Sequence, residues 1–300
     1  MLFDLDSLAD GPALPLRARL IVEGALSGMH RARLKGSSVE FEQHKEYSPG
    51  DELRHLDWKV YAKADRYYVK QFEQESELTA YLVLDASGSM AYRGQSSSKL
   101  GYGAHIVAAL AHLLIHQRDK VGLYAFGDQN LERLVPPRAR VTHLRDLFAV
   151  LEDICARGAS GDEPLATALE RVGELAGRRR GMIVLVSDLF DPSERGLEVL
   201  SWLRARGHDV VVFQVLDDHE LELPFEGLTL FKSLESDAEL LTNPTAIRRE
   251  YRRRMRTFLE RVDESCKTAG IEYRQITTSK PLADLIREFV GRRLLPGGRA

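Results

Sequence analysis

Short apolar runs at residues 81–84, 121–126, 182–186 and 210–215 recur along this chain, with helix-length segments between most of them, and residues 271–276 return as a final strand. Such a run, rich in Val, Ile, Leu, Tyr and Phe and lacking polar alternation, suits a strand buried on both faces. Strand and helix in alternation imply crossover connections, and crossovers imply a largely parallel sheet with helices on each side. Helices are expected at residues 99–117, 143–155, 164–175, 194–206, 244–269 and 282–290, with Gly270 ending the long one. Residues 131–135 suggest a short edge strand that Pro136 and Pro137 end, and residues 218–243 break the rhythm as an inserted hairpin. The expected fold class is α/β, a mostly parallel central sheet with helices on both faces.

A smaller module is expected before it, in residues 1–77, with a helix near 16–29 and then turns, aromatics and short extended pieces. Residues 78–293 form the larger domain in this reading, and 294–300 a tail. The 300 residues carry a net charge of -3, which provides no global attraction to nucleic acid or anionic membrane. Cys155 and Cys266 are too few for a disulfide framework or a cysteine-rich zinc site. The opening Met1-Leu2-Phe3-Asp4-Leu5-Asp6 has acids where a secretory signal has bases. The longest apolar stretch, residues 106–115, is interrupted by His112 and is about half of the roughly 20 residues that a membrane helix needs. A cytoplasmic protein without membrane insertion is expected.

Where the apolar run 81–84 gives out, the chain reads Asp85-Ala86-Ser87-Gly88-Ser89-Met90. One carboxylate and two hydroxyls are thereby presented at the carboxyl end of a strand, the end at which open α/β sheets bind ligands. All are hard oxygen donors, suited to Mg²⁺, with Mn²⁺ also admissible. A second acid, Asp188, follows the run 182–186. Neighbouring strands lie roughly 4.8 Å apart, so adjacency of these two would bring Asp85 and Asp188 to one ion. The alternative for Asp188 is a cap on the helix that starts near Ser193.

These residues resemble the von Willebrand factor A domain, whose metal-ion-dependent adhesion site combines D-x-S-x-S, a Thr ahead of a helix, and a later Asp. Asp85, Ser87, Ser89 and Asp188 match that pattern, but Glu163 stands where the Thr belongs. Glu163 either binds the metal itself, points to solvent while Ser160 or Asp162 substitutes, or marks a site that has lost this kind of binding. The resemblance extends upstream through Tyr47-Ser48-Pro49-Gly50-Asp51, Arg54, Leu56-Asp57-Trp58-Lys59 and Phe72-Glu73-Gln74-Glu75. Together with Arg206-Gly207-His208-Asp209 and Leu221 to Phe225, these segments resemble an uncharacterised prokaryotic family often encoded beside MoxR-type AAA+ ATPases.

Three other groupings have plain structural readings. Asp51, Arg54, Asp57 and Lys59 suit an ion-pair cluster around Trp58, although docking is an alternative. His105, His112 and His116 share one helical face but lack the Glu of a zincin motif. The arginines between Arg248 and Arg256 suit the solvated face of a helix whose stripe is Tyr251, Met255, Phe258, Leu259 and Val262, so no nucleic-acid partner is expected.

The leading expectation is a non-enzymatic, Mg²⁺-dependent protein-interaction module, and the resemblance implies a MoxR-type AAA+ ATPase as partner in complex assembly or remodelling. The rival is a Mg²⁺-dependent phosphatase with Asp85 as nucleophile. Haloacid-dehalogenase-like phosphatases usually carry a second Asp two residues on, where this chain has Ser87. A metal-free scaffold is the third possibility.

Overall fold

The computed structural model describes residues 14–33, 44–46, 68–70, 78–127, 133–177, 179–191, 193 and 195–294. The chain divides into two compact units, Gly28–Glu77 in one and Met1–Ser27 with Leu78–Ala300 in the other. In the smaller unit, β1 (His44–Glu46) and β2 (Tyr68–Lys70) pair antiparallel. Asp51, Arg54, Asp57, Trp58 and Lys59 lie outside the described residues.

The larger unit is built on a six-stranded sheet. Its strands are β3 (Thr79–Asp85), β4 (Lys120–Phe126), β5 (Arg133–Arg138), β6 (Met182–Ser187), β7 (Asp209–Leu216) and β10 (Glu272–Thr277), in the order β10-β7-β6-β3-β4-β5. All neighbours are parallel except β4 and β5. The α/β expectation therefore holds. One face carries Val83, Tyr124, Ile183, Leu185, Val210 and Val212, packed against α4 (Leu165–Ala176), α5 (Arg195–Ala205) and α7 (Pro244–Ala269). On the opposite face, α2 (Lys99–His116) brings Gly103 close to Leu84 and Val186, and Phe289 of α8 (Leu282–Leu294) meets Phe213 with ring centroids 5.8 Å apart. Burial on both faces explains why these strands are continuous apolar runs. Helix α3 (His143–Arg157) packs beside α2, and His143 Nε2 bonds the carbonyl of Val121 at 3.1 Å.

Three elements differ from the sequence reading. Residues 14–27 group with the larger unit rather than with the small module: in α1 (Leu14–Arg33), Ala18, Ile21, Val22 and Ala25 are buried, and Arg17 Nη1 lies 3.3 Å from His105 Nε2. Strand β5 runs through Pro136 and Pro137 instead of ending at them. As an edge strand with one partner, it tolerates residues without an N–H, and the register shifts there between Val121 and Leu123. The segment after β7 opens with a helical turn, α6 (Asp218–Glu222), before the hairpin of β8 (Thr229–Lys232) and β9 (Glu239–Thr242). Asp217 and Glu220 close a capping box around that turn: the Asp217 side chain accepts from His219 N at 2.9 Å, and Glu220 accepts from Asp217 N at 2.8 Å.

The strand ends are drawn together by backbone contacts. Ala86 N donates to Phe126 O at 2.7 Å, and Gly127 follows directly with φ +155°. A Cβ at Gly127 would stand 2.6 Å from the carbonyl carbon and oxygen of Ala86, backbone that cannot give way. Gly127→Ala is expected to cost about 2–4 kcal/mol through this clash and the unfavourable φ, read as a lowered urea midpoint with an unchanged slope.

Candidate functional site

Asp85 is the last residue of β3, and β3 lies between β4 and β6. Because β6 is its direct neighbour, the acids that end the two strands meet, as the sequence reading required. Past β3 the chain folds into a 3₁₀ turn, Gly88–Ala91, tied to the loop 158–164 by Gly88 N to Gly161 O (2.8 Å) and Ser160 N to Ala86 O (2.9 Å). Glu163 N donates to Gly127 O at 3.0 Å. These bonds fix three sequence-distant loops around a cleft of about 200 Å³, lined by Asp85, Ser87, Ser89, Glu163 and Asp188 together with Glu235.

Within the cleft Asp85 Oδ1 accepts from Ser87 N at 2.9 Å, and Oδ2 accepts from the Ser187 hydroxyl at 2.6 Å. The Ser87 and Ser89 hydroxyl oxygens are 3.2 Å apart. Burial pushes the Asp85 carboxyl up to about 7, and the neighbouring charge of Asp188 adds to this, against the pull of its Ser187 and Ser87 hydrogen bonds.

Asp188 is held differently. Its Oδ2 accepts from Lys99 Nζ at 2.8 Å, and its Oδ1 from Phe190 N at 3.0 Å. The Lys99 side chain is wholly buried and also donates to Glu220 Oε1 at 2.6 Å, with its ammonium 4.9 Å from the centroid of the Phe190 ring. Burial works to lower the Lys99 pKa, but Asp188 and Glu220 outweigh it and the net direction is upward. Glu220 also moves up, because burial exceeds what Lys99 offers a carboxylate. One ammonium thus serves two acids, and Asp85 is left without a cationic partner among its hydrogen bonds.

Glu163 does not point to solvent. Its side chain is 9% exposed, and Oε1 lies 3.4 Å from Arg171 Nη1. Asp162 lines the same cleft and Ser160 does not. The Asp188 oxygens accept from Lys99 and Phe190 and not from the helix Arg195–Ala205, while Asp191 Oδ1 accepts from Ser193 N at 2.7 Å and its Oδ2 from Leu165 N, the first residue of α4, at 3.1 Å.

Among the described residues no three Asp, Glu, His or Cys side chains converge closely enough to hold a metal ion. An ion here would therefore depend on the hydroxyls of Ser87 and Ser89 beside Asp85, with Asp188 reaching it directly or through water. That donor set is all hard oxygen and fits Mg²⁺. The raised Asp85 carboxyl, crowded by Asp188, is a site that a cation would relieve. Sequence reasoning missed Lys99, Ser187, Glu220 and Glu235. Lys99 had a local signal, since a cation in the first turn of an apolar helix opposes the helix dipole and calls for an anionic partner.

Residues 43–260 match the family described as "Protein of unknown function DUF58". An uncharacterized protein of Mycobacterium tuberculosis is 27% identical over 290 residues, covering 93% of this chain and 88% of that protein. Among solved structures, the conserved hypothetical protein BatB of Bacteroides thetaiotaomicron aligns with TM-score 0.47 and 16% identity over 72% of this chain and 98% of its own. The SpRpn10 VWA domain aligns with TM-score 0.39 and 8% identity over 70% of this chain and 93% of its own.

Two measurements bear on the electrostatics. Lys99→Met leaves Asp188 and Glu220 buried without their cation, and a loss of about 3–5 kcal/mol is expected in guanidinium unfolding. With chelator present, the folded chain holds a proton on Asp85 that the unfolded chain has released between its ordinary 3.8 and about 7. Stability from this group is complete below pH 3.8 and declines as pH rises through about 7; Asp85→Asn is expected to flatten that decline in urea midpoints taken between pH 5 and pH 7.5.

Proposed function

This chain belongs to the DUF58 family, and we propose that it is a non-enzymatic protein-interaction module whose binding depends on a divalent cation at the Asp85 cleft. The observation that carries the reading is the convergence of Asp85, Ser87, Ser89 and Asp188 from two adjacent strand ends on one cleft. Mg²⁺ bound there supplies an electrophilic position open to an acidic side chain of a partner. Ser87 and Ser89 present neutral hydroxyls, and Lys99 already counters the charge of Asp188, which limits the negative charge that these ligands bring to the ion. The preceding segment Tyr47 to Lys59 and the A-domain-like motif support a MoxR-type AAA+ ATPase as the partner, with the chain as its adaptor in assembling or remodelling protein complexes.

Catalysis by Asp85 is disfavoured by what stands beside it. Ser87, a neutral hydroxyl, occupies the position where a phosphatase acid would stand. No helix among the described residues is long and apolar enough to cross a membrane. Both cysteines are free, in keeping with a reducing compartment, and we place the chain in the cytoplasm.

Calorimetric titration with Mg²⁺ and with Mn²⁺ tests the site. The native chain is expected to bind either ion, Ser87→Ala to lose binding by at least about tenfold, and Glu163→Thr to bind as tightly or more so. Co-purification with a MoxR-type ATPase is expected in Mg²⁺, and to disappear with EDTA or with Asp85→Ala. Association indifferent to both removes the metal from the mechanism.

A further inference from the structure

The hairpin β8–β9 delivers an acid to the cleft from far away in sequence. Glu235 Oε1 accepts the backbone N–H of Ser89 at 3.1 Å across 146 residues, and Glu235 lines the same cleft as Ser87 and Asp188. The approach is close: a Cβ added to Gly88 would stand 2.9 Å from Glu235 Cγ and closer still to the Leu234 carbonyl oxygen. Only glycine at position 88 lets the tip sit down on the turn.

The arm is anchored at its base and not along its length. Arg248 donates to the carbonyls of Leu223 and Phe225 at 2.9 and 2.8 Å, and the Phe225 ring packs on Phe231 at 5.7 Å. Beyond Phe231, residues 232–240 are exposed. Their bonds are largely internal, such as Ser233 N to Ala238 O at 2.9 Å and Lys232 Nζ to Glu239 at 2.8 Å. A tip held by one surface hydrogen bond and a backbone contact costs little to lift.

We infer that Glu235 is a built-in carboxylate occupant of the partner-facing side of the site, which an acidic segment of a partner must displace. The inference rests on the cation-dependent reading given above. It assigns the hairpin a regulatory part: the arm competes with carboxylate ligands, and lifting it opens the site. The leading feature of the displacing ligand is therefore an Asp or Glu side chain.

The test uses the full chain, Mn²⁺ alone, and a fluorescein-labelled hexapeptide with a single Asp beside its Asn counterpart. Relative to the native chain, Glu235→Ala is expected to raise the water-proton relaxation of bound Mn²⁺, because a position taken by the arm opens to solvent. Its Mn²⁺-dependent affinity for the Asp peptide should rise about five- to tenfold, with no gain for the Asn peptide. Glu235→Gln should fall between, since an amide oxygen is a weaker ligand. Asp237→Ala removes equal charge two residues away and should stay within about twofold of native, separating occupancy from a field effect. If Mn²⁺ binds native and Glu235→Ala chains with equal relaxation and equal peptide affinity, or if Asp237→Ala reproduces the gain, the arm is not an occupant and the cation site stands without it. If neither chain takes up Mn²⁺, the cation-dependent reading falls and the inference goes with it.

Discussion

The buried ammonium of Lys99 is the hinge of the larger unit's chemistry. It enters the core at the first turn of α2 and holds Asp188 at the end of β6 with one proton and Glu220 of α6 with another. Through Asp188 it sets the charge presented to the cleft, and through Glu220 it fixes the capped turn from which the hairpin departs. Such a cluster is not retained for stability, because a buried ion pair repays its desolvation only in part. Its value lies in tying the loop after β6 and the turn after β7 to α2 beyond the point where the β6–β7 ladder ends.

Around that cluster the fold supplies rigidity where the cleft needs it. Asp85 sits on a strand flanked on both sides, its loop is laced to β4 and to residues 158–164 through main-chain bonds, and Ser187 locks one carboxylate oxygen. The hydroxyls of Ser87 and Ser89 are thus placed by elements that resist rearrangement, whereas Glu235 arrives on an exposed arm. A donor set fixed by main-chain bonds beneath an acid carried on an exposed arm suits the displaceable occupant inferred above.

Much of this was legible in residues alone, for identifiable reasons. The strands β3, β4, β6 and β7 were readable because burial on both faces removes polar alternation, and α7 because Pro244 and Gly270 bracket it. The sequence placed Asp85 and Asp188 at strand ends but left the adjacency of those strands as a condition, because strand order is a long-range property; the sheet order supplies it. What escaped was long-range or very short. The turn α6 spans five residues and is declared only by its capping box. Strand β5 defeats the rule that proline ends a strand because an edge position leaves one side of the backbone unpaired. The partners of Lys99 and the landing of Glu235 beside Ser89 are separated from them by 89, 121 and 146 residues, and no local pattern encodes such pairings.

The two prolines of β5 have a consequence for assembly. Pro136 and Pro137 remove two of the six amide donors of that strand, and on the opposite border Arg274 of β10 is engaged with Glu272 and Glu288. A second chain seeking to extend the sheet meets a donor-poor margin on one flank and a charge-studded one on the other. Strand addition is thereby disfavoured at both margins, which leaves the loops above the carboxyl ends, where Asp85, Ser87 and Ser89 stand, as the face for the partner proposed above.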